Sequence, residues 1–331
     1  MLVLPTEVQL DVLKCLNFNQ LFSFKLTNYY FYNLIKKYEG ELARMEFNNF
    51  YFSDTNPNIK NPFYTAIELK SEVFELTLND QLKNKWQAAI DRSIPLFLHE
   101  FEPDRIFVLD NKRKIFSLKL PNVPKNIEEM IIFRCWLERL FNCVYGQFNL
   151  DRILFNPEMI NILFDSEKTI SHRFHFESLS MSASNKIFEN VLKFVLNHLT
   201  ISKFFYTSLL YSLDITEQNT NILFNILINE GNKIPKIHLD SNKLARLYDR
   251  IMKYITTSRN CSKMVPHIIF YFSISAFSRF KFSESAEKID KQNYQIANIY
   301  NPQMKFALYI EECNDGITYR IHIKRLLILS D

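Results

Sequence analysis

His172 and His175, three residues apart in the run HRFH, are the residues in this sequence that most resemble a metal pair. Apolar and polar residues alternate across HRFHFE, which predicts a strand, and on a strand side chains three apart point to opposite faces. The pair therefore cannot share one ion, and the helical HExxH arrangement is absent. His198 falls near the end of an expected helix, where a surface or capping role accounts for it. Glu128 and Glu129 are adjacent on another expected helix and face solvent, so nothing marks them as an acid–base pair. A Ser-His-Asp site is assembled in space rather than along the chain, and no spacing here supports one.

The five cysteines, Cys15, Cys135, Cys143, Cys261 and Cys313, are odd in number and far apart. No CxxC occurs and no zinc spacing is matched. Glycine is scarcer still: Gly40, Gly146, Gly231 and Gly316 are the only four, where average usage of about 7% would supply more than twenty. A Walker loop, a GxGxxG turn, a kinase Gly-rich loop and a G-x-S-x-G elbow each need at least two close glycines. The sequence thus excludes the commonest nucleotide-binding and hydrolase folds. No metal, cofactor or catalytic residue is expected.

With 331 residues, 47% hydrophobic and 23% charged, the chain is globular and long enough for two domains or one elongated array. Its net charge of +4 is scattered apart from short runs such as Lys36-Lys37 and Lys112-Arg113-Lys114, so no nucleic-acid partner is expected. No stretch of about 18 uncharged apolar residues appears, and the N-terminus lacks a basic segment leading into an apolar run. The expectation is a soluble protein of a reducing compartment, cytoplasmic or nuclear, without a membrane partner.

The elements begin with an unusual helix. On a wheel at about 100° per residue, Cys15, Val8, Val12, Leu16, Leu13 and Leu10 sweep about 220° of the segment Thr6 to Leu16, interrupted only by Gln9. Glu7, Asp11 and Lys14 fill the remainder. A helix packed on one core needs a stripe of little more than about 100°, so this one is apolar enough for two surfaces. Pro5 followed by Thr6-x-x-Gln9 reads as an extended entry into a capping box. A short second helix through Leu21 and Phe24 and a third from about Asn28 to Tyr38 complete a helical unit over residues 1–45. Residues 46–65, FNNFYFSDTNPNIKNPFYTA, read as a linker or packed connection.

Residues 66–331 alternate strand and helix. EVFELTL, RIFVLD, KIFSLKLP and DRILFN read as strands, QLKNKWQAAIDRSIPLFLHEF as a helix interrupted at Pro95, and residues 126–145 as one long helix. From Phe176 onward strand centres recur about every 30 residues, near 176, 206, 237 and 269, which suggests stacked repeats loosely like leucine-rich repeats. The L-x-x-L-x-L-x-x-N signature is absent, which leaves an ordinary parallel α/β domain as the alternative. The final segment closes with two strands around Asn314-Asp315-Gly316, a hairpin signal.

Leu4-Pro5-x-Glu7-Val8, then Val12-Leu13, Leu16, Leu21 and Leu26, followed by an aromatic helix ending at Leu34-Ile35, resembles an F-box, a motif of about forty residues beginning L-P-x-E/D. Tyr30 or Phe31 stands where that family usually has tryptophan, and Asn28 and Tyr29 stand where it often has basic residues. The wording of the segment is similar to the large F-box expansions of nematodes. The resemblance implies an α/β protein in which a three-helix F-box precedes an irregular leucine-rich-repeat-like solenoid ending in the hairpin. It also implies docking on the Skp adaptor of Skp–cullin–F-box ubiquitin ligases, which explains a helix serving two surfaces. The residues expected to supply the adaptor contact and the local core are Leu4, Pro5, Val8, Val12, Leu13, Leu16, Leu21 and Phe24.

The rest of the chain would then bind a protein target. In PKIHLD, burying Ile237 and Leu239 exposes Lys236, His238 and Asp240; in HRFHFE, burying Phe174 and Phe176 exposes Arg173, His175 and Glu177. In KFFYT, burying Phe204 and Tyr206 would expose Lys203, Phe205 and Thr207. Two functions follow: a ligase substrate receptor that reaches a cullin through the adaptor, or an interaction module that binds the adaptor and recruits no cullin.

Overall fold

The computed structural model describes residues 4–53, 64–67, 78–99, 106–111, 114–151, 153–164, 173–182, 188–208, 215–240, 244–277, 286–313, 315 and 318–326. Residues 72–77 of the expected strand EVFELTL, His172 and the hairpin positions Asn314 and Gly316 lie outside the described residues.

In chain order the elements are α1 (Thr6–Lys14), α2 (Phe18–Lys25), α3 (Tyr29–Lys37), β1 (Met45–Ser53), β2 (Tyr64–Ile67), α4 (Asp80–Asp91), β3 (Phe97–His99), β4 (Ile106–Asn111) and β5 (Lys114–Leu118). Next come α5 (Ile127–Phe141), β6 (Cys143–Asp151), β7 (Ile153–Phe155), α6 (Pro157–Phe164), β8 (Phe174–Ser182), α7 (Phe188–His198) and β9 (Leu199–Ser208). The last are α8 (Glu217–Asn229), β10 (Ile237–Asp240), α9 (Ala245–Thr257), β11 (His267–Ser273), α10 (Ile274–Phe277), β12 (Glu287–Lys288), β13 (Asn293–Ala297), β14 (Lys305–Glu312) and β15 (Thr318–Arg325).

Asparagine starts many of these helices. Asn17, Asn28, Asn79 and Asn126 each accept a backbone N–H three residues on, at the heads of α2, α3, α4 and α5. Such a side chain satisfies one of the four orphan donors at a helix start. The reciprocal capping box belongs to Asn17 and Gln20 on α2, not to Thr6 and Gln9. α1 has Pro5 before it and no side-chain cap.

The chain divides into two compact units, the first comprising residues 1–96, 104–146 and 156–175, the second 97–103, 147–155 and 176–331. In the first unit, β1 runs antiparallel to β4 and β4 to β5, while β2 lies parallel to β5. Residues 45–53 are therefore a sheet strand in the same unit as the three helices, so of the two readings of 46–65, linker or packed connection, this part is packed. Phe50, Trp86, Phe133, Leu137 and Tyr145 are fully buried. Arg134 is buried among them: its guanidinium donates to the Leu163 carbonyl at 3.2 Å and meets Glu138 at 3.1 Å. β6 neighbours β1, and a Cβ at Gly146 would come within 2.7 Å of the Asn48 carbonyl oxygen, so only glycine fits that approach.

Two boundaries differ from the sequence reading. α4 ends at Asp91, Ser93 takes a left-handed φ of 52°, and Phe97 begins a strand. Pro95 thus follows a finished helix and does not interrupt one. The helix read over 126–145 stops at Phe141, and Cys143 starts β6, in which Tyr145 is fully buried.

In the second unit the sheet order is β8-β9-β10-β11-β15-β14-β13-β12. β9, β10 and β11 are parallel neighbours in chain order, joined by α8 and α9. β11 then pairs antiparallel with β15, β15 with β14 and β14 with β13. A separate pair, β3 with β7, is antiparallel. The buried face carries Phe205, Ile237, Leu239, Ile268, Phe270, Ile321 and Ile323. α9 covers part of it with Leu247, Tyr248, Ile251, Met252 and Ile255, and Tyr248 meets Phe270 edge-on at 5.8 Å. A chain-ordered parallel run with intervening helices matches the strand–helix alternation read from sequence; the sheet then continues as an antiparallel meander.

Candidate functional site

Two surfaces carry the residues singled out by sequence. On the helical N-terminus, Leu13, Leu21, Phe31, Leu34, Ile35 and Leu42 form a buried cluster, with Leu10, Leu16, Phe24 and Tyr38 packed partly against it. Leu4, Pro5, Val8 and Val12 lie outside that cluster and are exposed. The eight residues expected at the adaptor contact and local core thus separate. Leu13 and Leu21 are wholly internal, Leu16 and Phe24 are intermediate, and the Leu4–Val12 side is open. Val12, Leu16, Gln20 and Phe24 line an open groove of about 580 Å³ between α1 and α2. Phe22, Leu26, Tyr29 and Tyr32 are also exposed, and the wheel of the first helix could not reach them.

Gln9, read as a gap in the apolar arc, is buried. Its amide nitrogen donates to the Leu4 carbonyl at 2.6 Å and its oxygen accepts the Tyr30 hydroxyl at 2.9 Å. A buried amide stays because both ends are paired.

The second surface is the open face of the sheet in the second unit. The strand registers align its side chains in rows. One row runs Tyr206, His238, Ile269, His322, Tyr309 and Asn293 across β9, β10, β11, β15, β14 and β13. The next runs Ser208, Asp240, Tyr271, Arg320 and Glu311. His267 stands opposite Lys324 on the other side of the first row.

Hydrogen bonds knit these rows together. The Tyr206 hydroxyl donates to Asp240 at 2.5 Å, and His238 Nδ1 lies 2.9 Å from the Tyr271 hydroxyl. His267 Nε2 lies 3.2 Å from His322 Nδ1, and His322 Nε2 lies 3.0 Å from Glu311 Oε2. A carboxylate only accepts, so His322 Nε2 carries the proton; its Nδ1 in the neutral ring then accepts from His267 Nε2–H. Arg320 Nη1 donates to the same Glu311 oxygen at 3.4 Å, and its guanidinium sits 5.1 Å above the Tyr271 ring. Tyr309 stacks on His322 at 4.0 Å.

Burial, followed by the Lys236 charge, pushes His238 and His267 down to about 4. His322 is lowered too, since burial outweighs the opposing pull of Glu311. The imidazoles are therefore neutral at pH 7 and act as hydrogen-bonding groups. No group of three His, Cys, Asp or Glu among the described residues is placed to hold a metal ion.

Of the expected target residues, Lys236, His238 and Asp240 stand half-exposed on this open face, with Ile237 and Leu239 buried between them. Phe205 does not: it is fully buried opposite Ile237, and Phe204 and Tyr206 face outward in its place. Thr207 is likewise buried. Lys203 is exposed and pairs with Glu177 at 2.7 Å. Arg173 and His175 fall in the first unit; burial, then the Arg44 and Arg173 charges, push His175 down to about 4.

Sequence reasoning missed His267, Tyr271, Tyr309, Glu311, Arg320 and His322. TYRIHIKR does alternate Arg320, His322 and Lys324 with Ile321 and Ile323. What it cannot disclose is that this strand lies beside β11.

A family model of the F-box domain matches residues 1–40, and one described as Domain of unknown function (DUF8381) matches residues 67–210. No curated protein and no solved structure matches the chain.

Proposed function

The chain is an F-box protein, and from that premise we propose that it is the substrate-recognition subunit of a Skp–cullin–F-box ubiquitin ligase. The domain itself implies binding to a Skp-type adaptor. The observation that supports the adaptor face is the separation within the first helix. Leu13 fills the helical core, while Leu4, Pro5, Val8 and Val12 remain uncovered beside the groove lined by Val12, Leu16 and Phe24. The few anchors at the centre of an interface cost about 2 kcal/mol or more on truncation.

The second unit carries the target. Its parallel run β9-β10-β11 behaves as a short array of irregular leucine-rich-repeat-like units, and its open face presents tyrosine, histidine and arginine, the composition of protein interfaces. The chain supplies two binding surfaces, contributes no catalytic group, and works in the cytoplasm or nucleus, with the cullin reached through the adaptor. The domain division is an F-box over 1–45 followed by a target-binding region.

Affinity purification of the full-length chain tests this reading. Adaptor and cullin should co-purify, and Leu4→Ala/Pro5→Ala should weaken adaptor capture by about tenfold with helicity unchanged. Adaptor without cullin would replace the ligase reading with a non-ligase interaction module. No adaptor would remove both.

A further inference from the structure

We propose that the open face of β10, β11 and β15 binds an oxyanion carried by an acidic segment of a protein partner, received by Lys236, Arg320 and Lys324. This rests on the receptor reading for the kind of partner, and on the charges of the face for its chemistry. The carboxylates of the face are already engaged. Asp240 accepts the Tyr206 hydroxyl, and Glu311 accepts from Arg320 and His322. Lys236 and Lys324 form no ion pair with a described residue.

The positive charge converges on the histidine rows. Lys236 acts on His238, His267 and His322 alike, Arg320 on His238 and His322, and Lys324 on His267. Arg320 is paired with Glu311, so the uncompensated positive charge around the neutral imidazoles rests on Lys236 and Lys324, with Asp240 as the opposing charge. An anion relieves that repulsion, whereas a basic segment would add to it.

One donor reinforces the sign. Arg320 Nε is shielded from solvent and has no hydrogen-bond partner. A carboxylate or phosphate oxygen offers several lone pairs to such a donor, and charge-assisted bonds of this kind are the stronger ones. Ile269, in the same row as His238 and His322 and itself buried, gives the site an apolar floor of low dielectric.

Fluorescence anisotropy on the full-length chain with its adaptor, using labelled peptides of equal length, tests the proposal. One peptide carries glutamates, one phosphoserines and one glutamines at the same positions. The acidic peptides should bind at least about tenfold more tightly than the glutamine peptide, with affinity falling as salt rises. Lys236→Gln/Lys324→Gln, both surface changes checked by thermal melting, should remove that preference. Binding of both acidic peptides means a carboxylate suffices; binding of the phosphoserine peptide alone assigns the oxyanion to phosphate. Equal binding of all three, or a preference untouched by the double variant, would overturn the proposal, as would a single-stranded oligonucleotide that binds more tightly than either acidic peptide. The readout needs neither cullin nor ubiquitin. An acidic-peptide surface on a chain that recruits no cullin would therefore sink the receptor reading and leave this inference standing.

Discussion

The Tyr30 hydroxyl on α3 donates to the buried side-chain oxygen of Gln9 on α1, and the same glutamine holds the Leu4 carbonyl. The extended Leu4-Pro5 entry is thereby fixed to the third helix through one amide. Tyr30→Phe leaves the Gln9 oxygen buried and unpaired, which should cost about 1–3 kcal/mol, read as a lowered urea midpoint. Gln9→Leu removes the need along with the partner and should cost less. The reverse order would show that the amide is not what joins these segments.

Exposed and internal leucine-type positions of the first two helices should behave differently. Val8→Asp or Val12→Asp should reduce adaptor affinity by about tenfold or more and leave the melting temperature unchanged, since both side chains are open to solvent. Leu13→Ala, at a fully buried site, should instead cost about 2–5 kcal/mol of stability. Calorimetric titration with the adaptor, paired with thermal melts, separates the two.

Phe205 and Tyr206 are adjacent and face opposite ways. Phe205→Ala opens a cavity opposite Ile237 and should cost about 3–5 kcal/mol. Tyr206→Phe removes a hydroxyl from the open face and should alter target or peptide binding with little change in stability. Lys203→Glu breaks the exposed pair with Glu177 and should change stability by less than about 1 kcal/mol.

Stability should depend on pH through the histidine rows. Imidazole in an unfolded chain titrates near about 6.5, while His238 and His267 stay neutral in the fold down to about 4. Between these values the unfolded state holds more protons, so stability rises with pH. It is complete above about 6.5 and is lost as the pH falls toward about 4. Urea midpoints measured between pH 7 and pH 5 should fall, and His238→Gln/His267→Gln should flatten that slope. An unchanged slope would mean these rings are not protected from protonation.

Much of this architecture can be read from local patterns. Leu247, Ile251 and Ile255 lie one helical turn apart, and Ile237 and Leu239 alternate with polar neighbours, so both the α9 stripe and the β10 faces are legible. KFFYT is not, because Phe204, Phe205 and Tyr206 put an aromatic in either phase and only packing decides between them. Tyr145 reads as more helix for the same reason. Of the His and Tyr rows only the β10 positions are read from sequence; HIIFYF does not alternate, and the assembly requires β15 to return beside β11, a pairing of residues more than forty positions apart that no local period encodes.

That late return also sets an order of events during synthesis. β9, β10 and β11 can dock in the sequence in which they leave the ribosome, each joining the strand before it. β11 then waits with one edge unpaired until residues 318–325 arrive. The waiting strand carries Ile268, Ile269 and Phe270 in succession, and an apolar edge of that kind is a template for association with other chains. A nascent chain stalled before Thr318 should therefore aggregate or draw chaperones, whereas one stalled before His267 should not present that edge at all.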